Sequence, residues 1–370
     1  MKILEVKPMK IRVLELFGGI GACTKALKRL GIDVEIVDYV EIDKYAVSSY
    51  NAINNTNFEP QDITKYFTHT DIKHWFGDVD LIMHGSPCQD FSTAGKQAGG
   101  DENSGTRSSL MYETLRIVER LRPKYIVWEN VKNLLSDAHK HNFEKYIQFL
   151  NNLGYRSFYE VLNAKDYGIP QHRERVFTVS IREDVEHNFT FPPKQPLRIR
   201  LKDILDDIVD EKYYLTSDSV DKILTSTFAQ ERKRIQNDDY ADTLLAREYK
   251  GAKCVRVGGV FDTLTRKHQA GSIWDEQGLA PTLDTMQGGW RQPSVLSNYD
   301  RVRKLTPKEC WRLMGFDDGD FDKASKVCSN SQLYKQAGNS IVVNVLEEIF
   351  RVLLLGETKG LVQNKLFRLR

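Results

Sequence analysis

An apolar run rich in branched residues, 11–16, stops at Phe17-Gly18-Gly19-Ile20-Gly21. It gives way to a helical spacing of Ala22, Ala26, Leu27 and Leu30 that ends at Gly31. A strand followed by a helix is the simplest reading of that change in period. Three more apolar runs, 34–40, 81–83 and 125–128, read as strands, and 175–181 as a further one. Helical patterns over 109–121 and 142–153 fall between them. Strands alternating with helices predict a parallel, doubly wound α/β sheet. The conspicuous residues recur just after strands, where open α/β sheets hold their ligands.

The pattern weakens after about Glu183. Residues 192–297 are irregular, with Pro192-Pro193, Gly258-Gly259 and Gly288-Gly289. Arg247, Lys250, Lys253, Arg256, Arg266, Lys267 and His268 are strung through this stretch. Helical patterning returns at Thr306-Pro307-Lys308-Glu309, where Thr306 is placed to cap a helix with Pro307 in its first position. A final helix is predicted from Ser340 towards Leu355. The expected organisation is a catalytic and cofactor-binding domain over 1–185, a smaller irregular module over 186–303, and a segment 304–370 that completes the first domain.

Composition narrows this picture only modestly. Net charge is +2 over 370 residues, so any basic surface for nucleic acid must be local. Cys23, Cys88, Cys254, Cys310 and Cys328 are scattered singly, which speaks against a disulfide framework or a zinc site and for reduced thiols. No apolar run approaches the roughly 18 residues a membrane helix needs, and Met1-Lys2-Ile3-Leu4-Glu5 does not open a secretory signal. A cytoplasmic chain that uses neither metal nor membrane is expected.

Candidate chemistry begins at the glycine turn. Gly18, Gly19 and Gly21 between a strand and a helix let backbone approach a ligand at a helix N-terminus, although a purely structural turn has the same sequence. The next strand closes on Glu41, roughly 20 residues on, where an acid commonly takes ribose hydroxyls. Asp62-Ile63 follows, with an acid able to accept from an adenine amino group and an apolar side chain for its ring. In series these suggest an adenosine-containing cofactor without a pyrophosphate, and S-adenosylmethionine fits best.

Cys88 follows a strand and Pro87, inside a polar stretch running through Gly95, Gly99 and Gly100. A structural cysteine normally sits in an apolar element, and an inert loop thiol is the plain alternative to a nucleophile. A reactive thiol needs charged partners. Glu129 in Glu129-Asn130-Val131, and Arg173 and Arg175 in Gln171-His172-Arg173-Glu174-Arg175, stand at other strand ends. Each has an ordinary alternative as a cap or a solvated ion pair. His172 reads as an exposed loop residue, and no histidine is placed as a general base, so the set suits addition to an electron-poor ring better than hydrolysis.

These residues, in this order, resemble the DNA (cytosine-5)-methyltransferases of bacteria and phages. The matching stretches are Phe17 to Gly21, Glu41, Asp62, Gly85-Ser86-Pro87-Cys88-Gln89-Asp90-Phe91-Ser92, Glu129-Asn130-Val131 and Gln171-x-Arg173-x-Arg175. Arg303-Lys304-Leu305-Thr306-Pro307 with Glu309-Cys310, then Gln336-Ala337-Gly338-Asn339-Ser340, complete the set.

The resemblance implies a mixed sheet of the class I S-adenosylmethionine-dependent type, with 186–303 as target-recognition domain. It implies that Cys88 adds to carbon 6 of cytosine while Glu129 binds the ring nitrogen and amino group. Arg175, with Arg173 nearby, holds the carbonyl oxygen, and carbon 5 takes the methyl group, leaving S-adenosylhomocysteine. Phe17, Glu41, Ile42, Asp62, Ile63, Pro87, Leu110, Asn339 and Ser340 line the cofactor by the same resemblance.

The base must leave the stack of double-stranded DNA, with 92–105 as a closing lid. Gln269 matches by spacing a residue that fills the vacated gap, and Thr282-Leu283 matches the mark of the recognition region. Ser86 departs from the commonest family motif, which has Phe there. An RNA-directed relative is the first alternative, but Asn130-Val131 is followed by Lys132-Asn133-Leu134 rather than by a Cys-Phe-Thr triplet. A non-catalytic binding module is the second, against which Cys88, Glu129 and Arg175 all stand intact. A monomer serving either a restriction-modification pair or a solitary or phage-borne protective role is expected.

Overall fold

The computed structural model describes residues 10–68, 72–87, 106–215, 256–259, 272–275, 279–280, 282–283, 285, 292–296 and 302–357. Contacts divide the chain into two compact units. One comprises Met1–Asn163, Glu174–Pro193 and Ser340–Gln363, the other Ala164–Arg173, Lys194–Asn339 and Asn364–Arg370.

The first unit is built on strands β1 (Lys10–Leu16), β2 (Asp33–Val40), β3 (Leu81–His84), β4 (Tyr125–Val131), β5 (Tyr155–Asn163) and β6 (Glu174–Arg182). Their order is β2-β1-β3-β4-β6-β5. The pairs β1/β2, β1/β3 and β3/β4 are parallel, whereas β6 runs antiparallel to both β4 and β5. The sheet is therefore mixed rather than wholly parallel. β1, β3 and β4 are largely buried, which is why they read as continuous apolar runs. β5 carries no such run, because much of this edge strand is exposed, and its pattern does not announce it.

Helices α1 (Ala22–Arg29), α2 (Lys44–Asn54), α3 (Ile72–Phe76), α4 (Met111–Leu121) and α5 (Lys140–Asn152) connect the strands. The last two begin within two residues of their expected positions. The apolar faces of α4 and α5 enter a core with Leu14, Leu16, Ile82 and Trp128. Strand order reverses direction between β1 and β3, so their carboxyl ends flank the crevice where doubly wound sheets bind ligands. The final helix, Val343–Leu355, packs on α1 and returns the chain to this unit.

The second unit holds a short four-stranded sheet within the stretch that reads as irregular. Its strands are β7 (Arg256–Gly259), β8 (Ser272–Asp275), β9 (Ser294–Leu296) and β10 (Val302–Lys304), in the order β10-β9-β8-β7. Helices α6 (Pro307–Arg312), α7 (Asp318–Ala324) and α8 (Asn330–Asn339) follow, so the final helix of the first unit is α9. Thr306 caps α6 as expected: its Oγ1 accepts from Glu309 N at 3.2 Å, and Glu309 Oε2 accepts from Thr306 N at 2.7 Å. The Glu309 carboxylate also takes Arg303 Nη1 and Nη2 at 2.8 and 2.7 Å and Asp206 N at 2.8 Å. This fully buried acid is thereby satisfied on every side.

Candidate active site

The glycine turn follows directly from β1. Phe17 and Gly19 both have positive φ, 54° and 55°, and Gly21 opens α1 at 86°. Two of the three glycines are demanded by packing. A Cβ on Gly18 would lie 2.6 Å from Tyr39 Cε2, and one on Gly21 would lie 2.8 Å from Tyr50 Cε2. The two tyrosine rings stack with centroids 3.9 Å apart, and Tyr39 Oη donates to Gly19 O. A Cβ on Gly19 would meet nothing within 4 Å, so the open side of the turn is there.

Beneath the turn lies Glu15, 1% exposed, which accepts from Thr24 Oγ1 and from Tyr50 Oη. Burial pushes its carboxyl up to about 7. Sequence reasoning passed over Glu15, Tyr39 and Tyr50. The available signal was an acid in the second half of a mostly apolar strand, where its neighbours Leu14 and Leu16 are buried.

The two candidate acids follow β2 in the chain. Glu41 directly follows β2; its Oε2 accepts from Gly19 N at 3.1 Å and its Oε1 from Asp43 N at 2.9 Å. Burial raises its pKa against these backbone donors. Asp62 Oδ1 accepts from Thr64 N and Oγ1 at 3.0 and 2.8 Å, capping a short 3-10 turn. Ile42, beside Glu41, is 68% exposed, whereas Ile63 is 4% exposed and packs in the core. Of the two isoleucines, Ile42 presents free apolar surface. Phe17 and Leu110 pack partly against the same core, and Pro87 is half-buried at the end of the described β3 segment. Ser340 is buried with Oγ donating to Ile341 O at 3.1 Å. Asn339 is exposed at the end of α8 in the second unit.

Glu129 and Arg175, read in sequence as separate contacts to a base, pair with each other. Glu129 and Arg175 lie near the ends of the antiparallel strands β4 and β6, where Val131 faces Arg175. Arg175 Nε stands 3.2 Å from Glu129 Oε1, both side chains largely buried. Gly85, directly after β3 and three residues before Cys88 in sequence, is so close that a Cβ there would lie 3.8 Å from Glu129 Oε2. Three strand ends thus converge on one carboxylate. Cys88 itself, residues 92–105 and Gln269 lie outside the described residues.

Arg173 does other work. It is 4% exposed, and its Nη1 and Nη2 donate to Leu283 O at 2.9 Å and Gly338 O at 3.1 Å, all within the second unit. Thr282 Oγ1 donates to His172 O at 2.7 Å, while Ala280 exchanges backbone bonds with Pro170 and His172. Leu283 is 1% exposed. The side chains of Arg173 and Leu283 are therefore buried within the second unit. His172 is exposed, as expected. Among the described residues no cluster of three metal-ligating side chains occurs, and no helix is long and apolar enough to cross a membrane.

Comparison with known proteins places this geometry. The C-5 cytosine-specific DNA methylase family matches the chain over residues 11–354. The type II methyltransferase M2.ScrFI of Lactococcus lactis subsp. cremoris is 35% identical over 391 aligned positions, covering 93% of this chain and 99% of that one. The orphan methyltransferase M.SPBetaI of Bacillus phage SPbeta is 32% identical, covering 93% and 98%. Among solved structures, the S. pombe Dnmt2 methyltransferase shares the fold with a TM-score of 0.66 at 20% identity, covering 94% of this chain and 99% of that one. The chain belongs to the C-5 cytosine-specific DNA methylase family and is a C-5 cytosine DNA methyltransferase.

Proposed function

We propose that this enzyme methylates carbon 5 of a flipped-out cytosine in a particular duplex DNA sequence, using S-adenosylmethionine and a covalent adduct with Cys88. The observation that carries the reading is the Glu129 carboxylate, held by Arg175 Nε at 3.2 Å and bordering Gly85 at the root of the cysteine loop.

The crevice suits the methyl donor. Glu41 keeps acceptor capacity for a ribose diol beyond its backbone donors, and Ile42 offers apolar surface to a ring. Asp62 borders a cavity of about 430 Å³ lined also by Tyr66 and Trp75, within the range of small-molecule sites. When bound, S-adenosylmethionine supplies an electrophilic methyl group and leaves as S-adenosylhomocysteine.

The chain's own residues do the rest. The Cys88 thiolate adds to carbon 6 of the cytosine, and the ring's electron pair moves to carbon 5. Glu129 meets the ring nitrogen and amino group and eases the developing charge. Arg175 fixes the orientation of that carboxylate. After methylation, loss of the carbon 5 proton restores the double bond and expels Cys88. Residues 1–185 supply the catalytic part and 186–303 the recognition part of a monomer, while of 304–370 the stretch Ser340–Gln363 belongs to the first unit and 304–339 to the second. The enzyme serves a restriction-modification pair or a solitary or phage-borne protective role.

Labelled methyl transfer to duplex DNA is expected, with Cys88→Ala abolishing it, and bisulfite sequencing of DNA from expressing cells locates the cytosine. Full activity in Cys88→Ala refutes the adduct. Labelling of tRNA in place of duplex DNA refutes the substrate.

A further inference from the structure

Ser86, two residues before Cys88, is anchored by a buried polar set with no role in the chemistry proposed above. Trp128 of β4 faces His84 of β3 in register, and the two rings stack 5.5 Å apart at 7°. Tyr146 of α5 covers the indole at 4.1 Å, and its hydroxyl lies 2.8 Å from His84 Nε2. The three side chains are at most 1% exposed. Burial pushes the His84 imidazole down to about 3, so the ring is neutral at any working pH. Trp128 Nε1 donates to Ser86 Oγ at 3.0 Å, and Asn130 Nδ2 donates to Ser86 O at 3.4 Å.

Ser86 is thus held by side chain and backbone two residues before Cys88, from the strand that also bears Glu129. An apolar filling of this space would stabilise the sheet as well, since buried polar groups recover little beyond their desolvation cost. What the polar set adds is one defined geometry. It also accounts for Ser86 in place of the commoner Phe: a hydroxyl at this position gives the indole N–H its acceptor.

We propose that Trp128 and Ser86 are positioning residues for the nucleophile, their hydrogen bond setting the root of the Cys88 loop relative to Glu129. His84 and Tyr146 lock the indole in place. The inference rests on the reading of Cys88 as nucleophile.

The test measures kcat and the KM for S-adenosylmethionine in the full-length enzyme carrying Trp128→Phe, Ser86→Ala or both, with Cys88→Ala in parallel. Phe keeps the stacked ring and loses only the donor. Each single change is expected to lower kcat about tenfold, the scale of a modest misplacement of reacting groups, while KM stays within about twofold. The double variant is expected to be no slower than the slower single, because both changes delete the same bond. Wild-type kcat in both singles, or effects that multiply in the double, overturns the inference while an inactive Cys88→Ala leaves the parent reading standing. Activity in Cys88→Ala overturns both. Should Trp128→Phe fail to fold, Ser86→Ala alone decides through the split between kcat and KM.

Discussion

Glu15 offers a quantitative check on the packing beneath the glycine turn. It is 1% exposed in β1, and burial is the largest influence on its carboxyl, raising it from 4.5 to about 7. The hydroxyls of Thr24 and Tyr50 oppose that shift without cancelling it. The folded chain therefore holds this proton more tightly than the unfolded chain. Its contribution to stability is complete below about 4.5 and is lost as pH rises through about 7.

Between pH 5 and pH 8 the loss amounts to about 2.5 kcal/mol, at about 1.4 kcal/mol for each tenfold change in proton affinity. Glu15→Gln keeps the shape and one acceptor and has no proton to lose. Relative to wild type, the variant is expected to gain about 2.5 kcal/mol on moving from pH 5 to pH 8. For a urea slope of about 3 kcal/mol/M, that is a relative midpoint shift of about 0.8 M. Urea denaturation of both proteins at both pH values reads it directly. A variant that is equally destabilised at pH 5 and pH 8 refutes the reasoning, since the carboxylate would then be ionised throughout.

Three further outcomes test other parts of the structure. Gly21→Ala places a Cβ 2.8 Å from Tyr50 at a φ of 86°, and is expected to lower the melting temperature and weaken S-adenosylmethionine binding; calorimetry at wild-type values for both would contradict the cradle. Arg173→Lys cannot span both Leu283 O and Gly338 O, so about 2 kcal/mol of stability should go in urea titration, and an unchanged midpoint would show the clamp to be idle. Arg303→Met leaves the buried Glu309 carboxylate without its cation, a loss of about 3–5 kcal/mol in thermal unfolding. Little change there would mean that the donors from Thr306 and Asp206 suffice.

How far the chain could be read without its structure depended on the range of the interactions involved. The β1-to-α1 transition, the caps at Thr306 and Gly31, and the strands up to β4 are local patterns, because each rests on neighbours within one turn or one pleat. The candidate residues were legible for the same reason: Glu41 and Glu129 sit where an apolar run ends, and Arg175 where one begins. The edge strand β5 escaped because exposure mixes its pattern, and β7 to β10 because strands of three or four residues are too short to show a period.

What the residues do to one another was decided only in three dimensions. Arg173 and Arg175 are two positions apart, yet one clamps two backbone carbonyls in the second unit and the other pairs with Glu129 in the first. Ile42 and Ile63 exchange their expected prominence because one follows an edge strand into solvent and the other falls under the core. Ser86, a mere departure from a motif in sequence, acquires a partner 42 positions away in Trp128. Patterning along a chain records which face an element buries; it carries no record of which distant group will meet a side chain there, since that contact exists only once the strands are in register.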